Sequence, residues 1–196
     1  MYLQVYYFLL LEMHTVHCWK TINVKKQYGF DRIFMLSILL VMAVFSFFYI
    51  ILEILHDNRL SDERFAIFLI SLILLYPIHK LLHLCPLIRY RNRIHCSIKK
   101  QIGFMPILSI RIKEPVPKVR FLFALLAPFL ILNSFLIAGA FLLPAFGHYF
   151  SMLLAYHCGL CLIDLLYIKN LARSPKKALI EETETGYEIL IPPTMV

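Results

Sequence analysis

Four runs of mostly apolar residues, each about as long as a membrane-spanning helix, dominate this chain of 196 residues. They cover residues 33–55, 65–88, 121–146 and 149–168. Only 16% of the residues are charged and 60% are hydrophobic, whereas soluble domains average about 25% charged residues. The sequence therefore predicts an all-α membrane protein with four transmembrane helices. It excludes a disordered chain, a coiled coil and an ordinary soluble globule.

The basic residues indicate which way the four spans face. Seventeen of the 20 Lys and Arg residues precede the first span, lie between the second and third spans, or follow the fourth. Basic loops stay on the cytoplasmic side of a membrane. We therefore expect a multi-pass protein of the cell membrane with cytoplasmic termini, in segments 1–32 and 169–196, and a basic cytoplasmic loop at 89–120. The net charge of +8 then reflects contact with anionic lipid headgroups. The expected partner is the lipid bilayer and not nucleic acid.

Two short segments outside the spans have the alternating pattern of half-buried strands. Leu108, Ile110 and Ile112 alternate with polar residues, before Pro115 and Pro117. The run 187–191 (Tyr-Glu-Ile-Leu-Ile) precedes two further prolines. A period of two is typical of a strand with one buried face. We expect a small cytoplasmic β element against the membrane domain.

Ionisable side chains inside a span are costly unless they are paired, bound or hydrated, so they mark candidate functional sites. His79, Lys80 and His83 lie in the second span, and Asp164 lies in the fourth. His79 and His83 are four residues apart, so on a helix they project from the same face. Two histidines in this arrangement can bind one Zn²⁺ if a third ligand comes from elsewhere.

Asp164 matches the two histidines in depth. Both spans run towards the cytoplasm, and all three residues lie within about ten residues of the basic residues that end their spans, in the inner third of the bilayer at about 1.5 Å per residue. The sequence thus predicts a metal site formed by His79, His83 and Asp164. Lys80 occupies the position at which an H-E-x-x-H motif has its general base.

Other interpretations stay open from the residues alone. Lys80 and Asp164 could form an intramembrane ion pair without metal, the histidines could extend towards the interface, or all four residues could form a proton pathway. His157 lies about two turns from Asp164, which favours packing or support of a metal ligand. Cys158 and Cys161, in a strongly apolar stretch, favour packing.

Three segments of the chain resemble a bacterial family of membrane proteins, the putative zincin peptidases, which is distantly similar to site-2-type intramembrane metalloproteases. The segments are YPIHKLLHLCPL at 76–87, GFMPILSIRIKEPVPKVRFLFALLAPF at 103–129 and LIDLLYIKNLARSPKKALIEETETGYEILIP at 162–192. The resemblance implies that His79, His83 and Asp164 are the metal ligands and that Lys80 replaces the catalytic Glu. Ile163 stands where the family often has Gly.

The resemblance implies Zn²⁺ as the cofactor and a metalloprotease-like core with no identified catalytic base. The expected function is that of a degenerate, inactive homologue that binds or regulates membrane-protein substrates or clients. The alternative is a non-enzymatic structural or partner-binding membrane protein with a Lys80–Asp164 pair and no metal.

Overall fold

The computed structural model describes residues 17–55, 60–88, 94–99, 107–112, 115–183 and 186–191, and the chain is mostly helical with two small sheets. The helices are α1 (Val24–Tyr28), α2 (Phe30–Leu55), α3 (Phe65–Leu82), α4 (Lys118–Leu142) and α5 (Gly147–Ala172). The strands are β1 (His17–Ile22), β2 (Ile94–Lys99), β3 (Ile107–Ile112), β4 (Val116–Pro117), β5 (Leu179–Glu182) and β6 (Tyr187–Ile191). By length and composition, α2 to α5 could each cross a membrane.

Prolines and a glycine explain where several helices end. Pro86 disfavours helix beyond α3, so the chain continues through a turn into a 3-10 helix at 85–88. Pro144 interrupts the predicted span 121–146, where Leu143 adopts φ −128° and ψ 65° between α4 and a short 3-10 helix. Gly29, with φ 80°, separates α1 from α2 in a left-handed conformation that other residues adopt only with strain.

Helix α5 packs against both α2 and α4 and forms the centre of the bundle. Its contact with α2 depends on Gly159, because a Cβ atom there would lie 2.6 Å from Cγ2 of Val41. The hydroxyl of Ser37 donates a hydrogen bond to the carbonyl of Gly159 over 3.1 Å. Because Gly159 has no side chain, α2 approaches α5 closely enough for the Ser37 hydroxyl to reach this backbone carbonyl.

Large apolar side chains cover the outer faces of the helices. Leu39, Ile73 and Phe135 are 66%, 73% and 69% exposed. Soluble monomers rarely expose a contiguous apolar surface of this kind. The outer surface is thus compatible with a lipid environment.

A four-stranded antiparallel sheet in the order β1-β6-β5-β4 closes one end of the bundle, which we call the sheet end. Ile22, Ile180 and Ile189 are almost fully buried, in one cluster with Phe121 and Leu171 at the ends of α4 and α5. β2 and β3 form a separate two-stranded sheet.

The strands predicted at 108–112 and 187–191 are present as β3 and β6. They belong to different sheets, however. β6 pairs with β1 and β5, which the sequence analysis did not predict.

Candidate metal centre

Two histidines project from the end of α3 into the bundle. His79 lies in the last turn of α3, and His83 follows the helix with φ −59° and ψ −26°, which keeps the helical direction. Their Nε2 atoms are 3.2 Å apart and their rings are nearly perpendicular. The His79 ring is 3% exposed and the His83 ring 16% exposed. Burial of both rings indicates that they face the interior of the protein.

Asp164 extends from α5 to the same point. Its Oδ2 atom lies 3.3 Å from Nε2 of His79 and 3.6 Å from Nε2 of His83. Oδ2 is buried, and among the described residues it has no hydrogen-bond partner. The structure therefore brings together the three side chains that the sequence analysis selected, and leaves a buried carboxylate oxygen pointing at two imidazole nitrogens.

Helix α4 fixes the orientation of His83. The Nδ1 atom of His83 lies 2.8 Å from the backbone carbonyl oxygen of Ala124. A carbonyl oxygen only accepts, so Nδ1 of His83 is the donor and carries the proton. In a neutral His83, Nε2 then has a lone pair, and this lone pair faces the carboxylate of Asp164.

A second layer of polar groups lies behind His79. The Nε2 atom of His157 is 3.1 Å from Nδ1 of His79, and Nδ1 of His157 is 2.6 Å from Oδ1 of Asn133. The Sγ atom of Cys161 lies 3.5 Å from Nε2 of His157 and 3.9 Å from Nδ1 of His79. His157 therefore contacts His79, one of the three predicted ligands, and Cys161 packs beside it.

Asn133 was missed by sequence reasoning. It lies in the middle of α4 among apolar residues, and its side chain is the polar group that pairs with the fully buried His157. An amide in the centre of an apolar span was the signal that could have identified it.

Lys80 does not pair with Asp164. It is half-buried in the last turn of α3, and among the described residues the ion-pair partners of Asp164 are the two histidines. Successive helical residues point about 100° apart, so Lys80 leaves the helix in a different direction from His79. The Lys80–Asp164 pair that the alternative interpretation required is not formed.

Among the residues that the structure describes, two groups of buried or half-buried side chains could hold a metal ion, and they share His79. One comprises His79, His83 and Asp164, and the other His79, His157 and Cys161. The first uses Nε2 of His79 and the second uses Nδ1, because these are the atoms within reach in each case.

Residues 72–179 match the model of a family described as "Putative zincin peptidase". The chain belongs to this family. The match includes His79 and His83 as well as Asn133, His157 and Asp164. No curated protein and no solved structure matches the chain. The family's description supports a metalloprotease-like protein, and the buried His, Cys and Asp groups described above could bind a metal ion.

Proposed function

We propose that this protein is a multi-pass membrane protein that binds one Zn²⁺ through His79, His83 and Asp164. We further propose that it is a degenerate metallopeptidase, which binds or regulates other membrane proteins instead of hydrolysing them.

The spacing of the three ligand atoms carries the proposal. Ligand atoms about 2.0–2.1 Å from a tetrahedral zinc lie about 3.3 Å from one another. The three separations here are 3.2, 3.3 and 3.6 Å. Two imidazole nitrogens and one carboxylate oxygen are also a ligand set that zinc commonly has in catalytic sites. The residues therefore fit the metal in both geometry and chemistry.

The electrostatics of the site favour a cation at the same point. The carboxylate of Asp164 only accepts, and the hydrogen bond of His83 to Ala124 turns the lone pair of its Nε2 towards Asp164. Two acceptors that face each other in a buried site repel unless a proton or a metal ion lies between them. A divalent metal ion stabilises all three groups together.

Lys80 supports the view that the centre is degenerate. A bound zinc ion would polarise a peptide carbonyl and a water molecule. Hydrolysis also needs a general base within hydrogen-bond reach, and a protonated lysine takes up no proton. The basic side chain beside two ligands also weakens cation binding. In the last turn of α3, Lys80 instead interacts favourably with the helix dipole.

The surfaces around the site support a role within the bilayer. α2 and α3 expose apolar side chains along most of their length, and the ligands lie towards the sheet end. With the basic loops on the same side, the centre would lie near the cytoplasmic face. A client would then be a membrane protein that reaches the site laterally or from the cytoplasm.

Metal analysis of the detergent-purified protein tests the proposal. We expect about one zinc ion per chain in the wild type, and loss of most of it in His79→Ala and Asp164→Asn. His148→Ala is a matched control, because His148 is a buried histidine of α5 near Asp62, outside both candidate groups. A wild-type protein without zinc at saturating supply would overturn the proposal, as would zinc retained in Asp164→Asn.

A further inference from the structure

A line of buried polar groups runs from α4 through α5 to Nδ1 of His79, the ring nitrogen that faces away from Asp164. The amide nitrogen of Asn133 donates to Sγ of Cys158 over 3.6 Å, and Oδ1 of Asn133 lies 2.6 Å from Nδ1 of His157. Nε2 of His157 then lies 3.1 Å from Nδ1 of His79. His157 is 0% exposed and His79 is 3% exposed. Buried polar groups are costly unless they are paired, and this line pairs each of them.

The amide oxygen at one end of the line determines where the protons lie. Oδ1 of Asn133 only accepts, so Nδ1 of His157 donates and carries the proton. A neutral His157 therefore has its lone pair on Nε2, which accepts from Nδ1 of His79. His79 is left with a lone pair on Nε2, the atom that faces His83 and Asp164.

From this geometry we infer that Asn133 and His157 are positioning residues for His79. They hold its ring in place and select the tautomer that presents Nε2 to the metal. The inference rests on the proposed function for its metal, but the tautomer follows from the hydrogen bonds alone. Metal-binding histidines usually have a carboxylate, a backbone carbonyl or water in this position. His83 has the carbonyl of Ala124, and His79 has an asparagine acting through a second histidine.

The second candidate group, His79, His157 and Cys161, is a competing metal site, and the tautomer of His79 decides between the two groups. Nδ1 of His79, Nε2 of His157 and Sγ of Cys161 also lie within 3.1 to 3.9 Å of one another. A neutral imidazole has a single ring nitrogen with a free lone pair, so His79 binds an ion either through Nε2 or through Nδ1. The Cys161 group would also require a thiol to lose its proton, whereas Asp164 supplies a carboxylate. The hydrogen-bonded line from Asn133 through His157 to Nδ1 of His79, which we call the relay, therefore excludes Cys161 from the metal.

Metal affinity measured by competition with a chelator tests the relay. Asn133→Leu removes the acceptor, and we expect zinc binding to weaken by about 10–100-fold, the usual effect of losing such a partner. Asn133→Asp keeps an acceptor oxygen and should restore most of the affinity. Asn170→Leu is the matched control, because the Asn170 amide donates to the carbonyl of Leu166 within α5, away from the line. Full affinity in a folded Asn133→Leu protein would overturn the inference.

Cobalt substitution separates the two candidate groups. Cys161→Ser should bind Co²⁺ as tightly as the wild type, and the wild-type spectrum should lack a thiolate-to-metal charge-transfer band. A strong band that Cys161→Ser abolishes would place the ion on Cys161 and contradict the relay.

Nitrogen-15 NMR of histidine-labelled wild-type protein tests the relay without metal and without any substitution. We expect a protonated Nδ1 on His79 before and after zinc is added. An unprotonated Nδ1 on His79 would overturn the relay, even if zinc binds. A wild type that binds no zinc but has the protonated Nδ1 would overturn the proposed function and leave the relay standing.

Discussion

Lys80 is the residue that most directly separates zinc binding from peptide hydrolysis in this site. It lies one residue from His79 and points in another direction, so replacing it should leave the three ligands in place. Lys80→Glu exchanges a positive charge for a negative one beside the metal and restores the carboxylate of an H-E-x-x-H motif.

We therefore expect Lys80→Glu to bind zinc more tightly, by about tenfold for a charge reversal close to a half-buried ion. We also expect it to gain cleavage of a membrane-embedded reporter substrate over the wild type. Lys80→Gln, which only removes the charge, should have intermediate affinity and no gain in cleavage. A Lys80→Glu protein that binds zinc no better than the wild type would contradict the electrostatic argument.

At the residue scale, spacing and depth were enough to predict that His79, His83 and Asp164 meet. Two residues four positions apart, such as His79 and His83, lie on the same face of a helix. Two spans that run in the same direction bring residues at the same depth in the bilayer, such as His79 and Asp164, to the same level. Neither rule predicts which side chains contact the ring nitrogen of a ligand histidine that faces away from the metal. The contacts of His157 with His79 and Asn133 depend on how α3, α4 and α5 rotate about their axes, which the sequence pattern left undetermined.

At the scale of the elements, the contact between α2 and α5 depends on the missing side chain of Gly159. We expect Gly159→Ala to destabilise the protein by about 1–3 kcal/mol, the usual cost of overpacking, because its Cβ atom would lie 2.6 Å from Val41. Unfolding in detergent measures this change.

Val41→Ala shortens the side chain that the new methyl group would meet. The double variant Gly159→Ala with Val41→Ala should therefore recover part of the lost stability, as neighbouring sites do not add independently. If the two single changes prove simply additive, the close contact does not limit packing.

Tyr187 of β6 makes the stability of the four-stranded sheet depend on pH. Burial raises the pKa of the Tyr187 phenol well above its usual value, and neighbouring Tyr167, Asp164 and Glu182 add to the increase. The folded protein thus holds this proton more tightly than the unfolded chain. The stabilisation is complete below about pH 10 and is lost as the pH rises beyond that value.

Tyr187→Phe removes the phenol and keeps a ring against Phe121, whose centroid lies 4.8 Å from that of Tyr187. From about pH 9 to about pH 11, its melting temperature should fall less than that of the wild type. Parallel pH curves for the two proteins would contradict this assignment.

The sheet also shows the limit of local patterns. The alternating residues at 187–191 predicted β6, but its partner β1 lies more than 160 residues away in the chain. Nothing in a local pattern specifies such a pairing, and the exposed residues of β1 lack a clear apolar alternation.

At the scale of the whole molecule, the distribution of basic residues predicts that the sheet end faces the cytoplasm. Cys18 of β1 is exposed at this end, and Glu63 is exposed between α2 and α3 at the other. A protein with Cys18 as its single cysteine should react with a membrane-impermeant maleimide in inside-out vesicles and not in intact cells. A single cysteine from Glu63→Cys should react in the opposite way. Labelling of both from the same side would contradict the four-span arrangement.

X-ray absorption spectroscopy of the zinc-loaded protein tests the metal centre most directly. We expect nitrogen and oxygen ligands at about 2.0–2.1 Å, with the outer-shell scattering of two imidazole rings and no sulfur shell. The site formed by His79, His83 and Asp164 would be contradicted by a sulfur shell at about 2.3 Å. A protein that retains no zinc would contradict it as well.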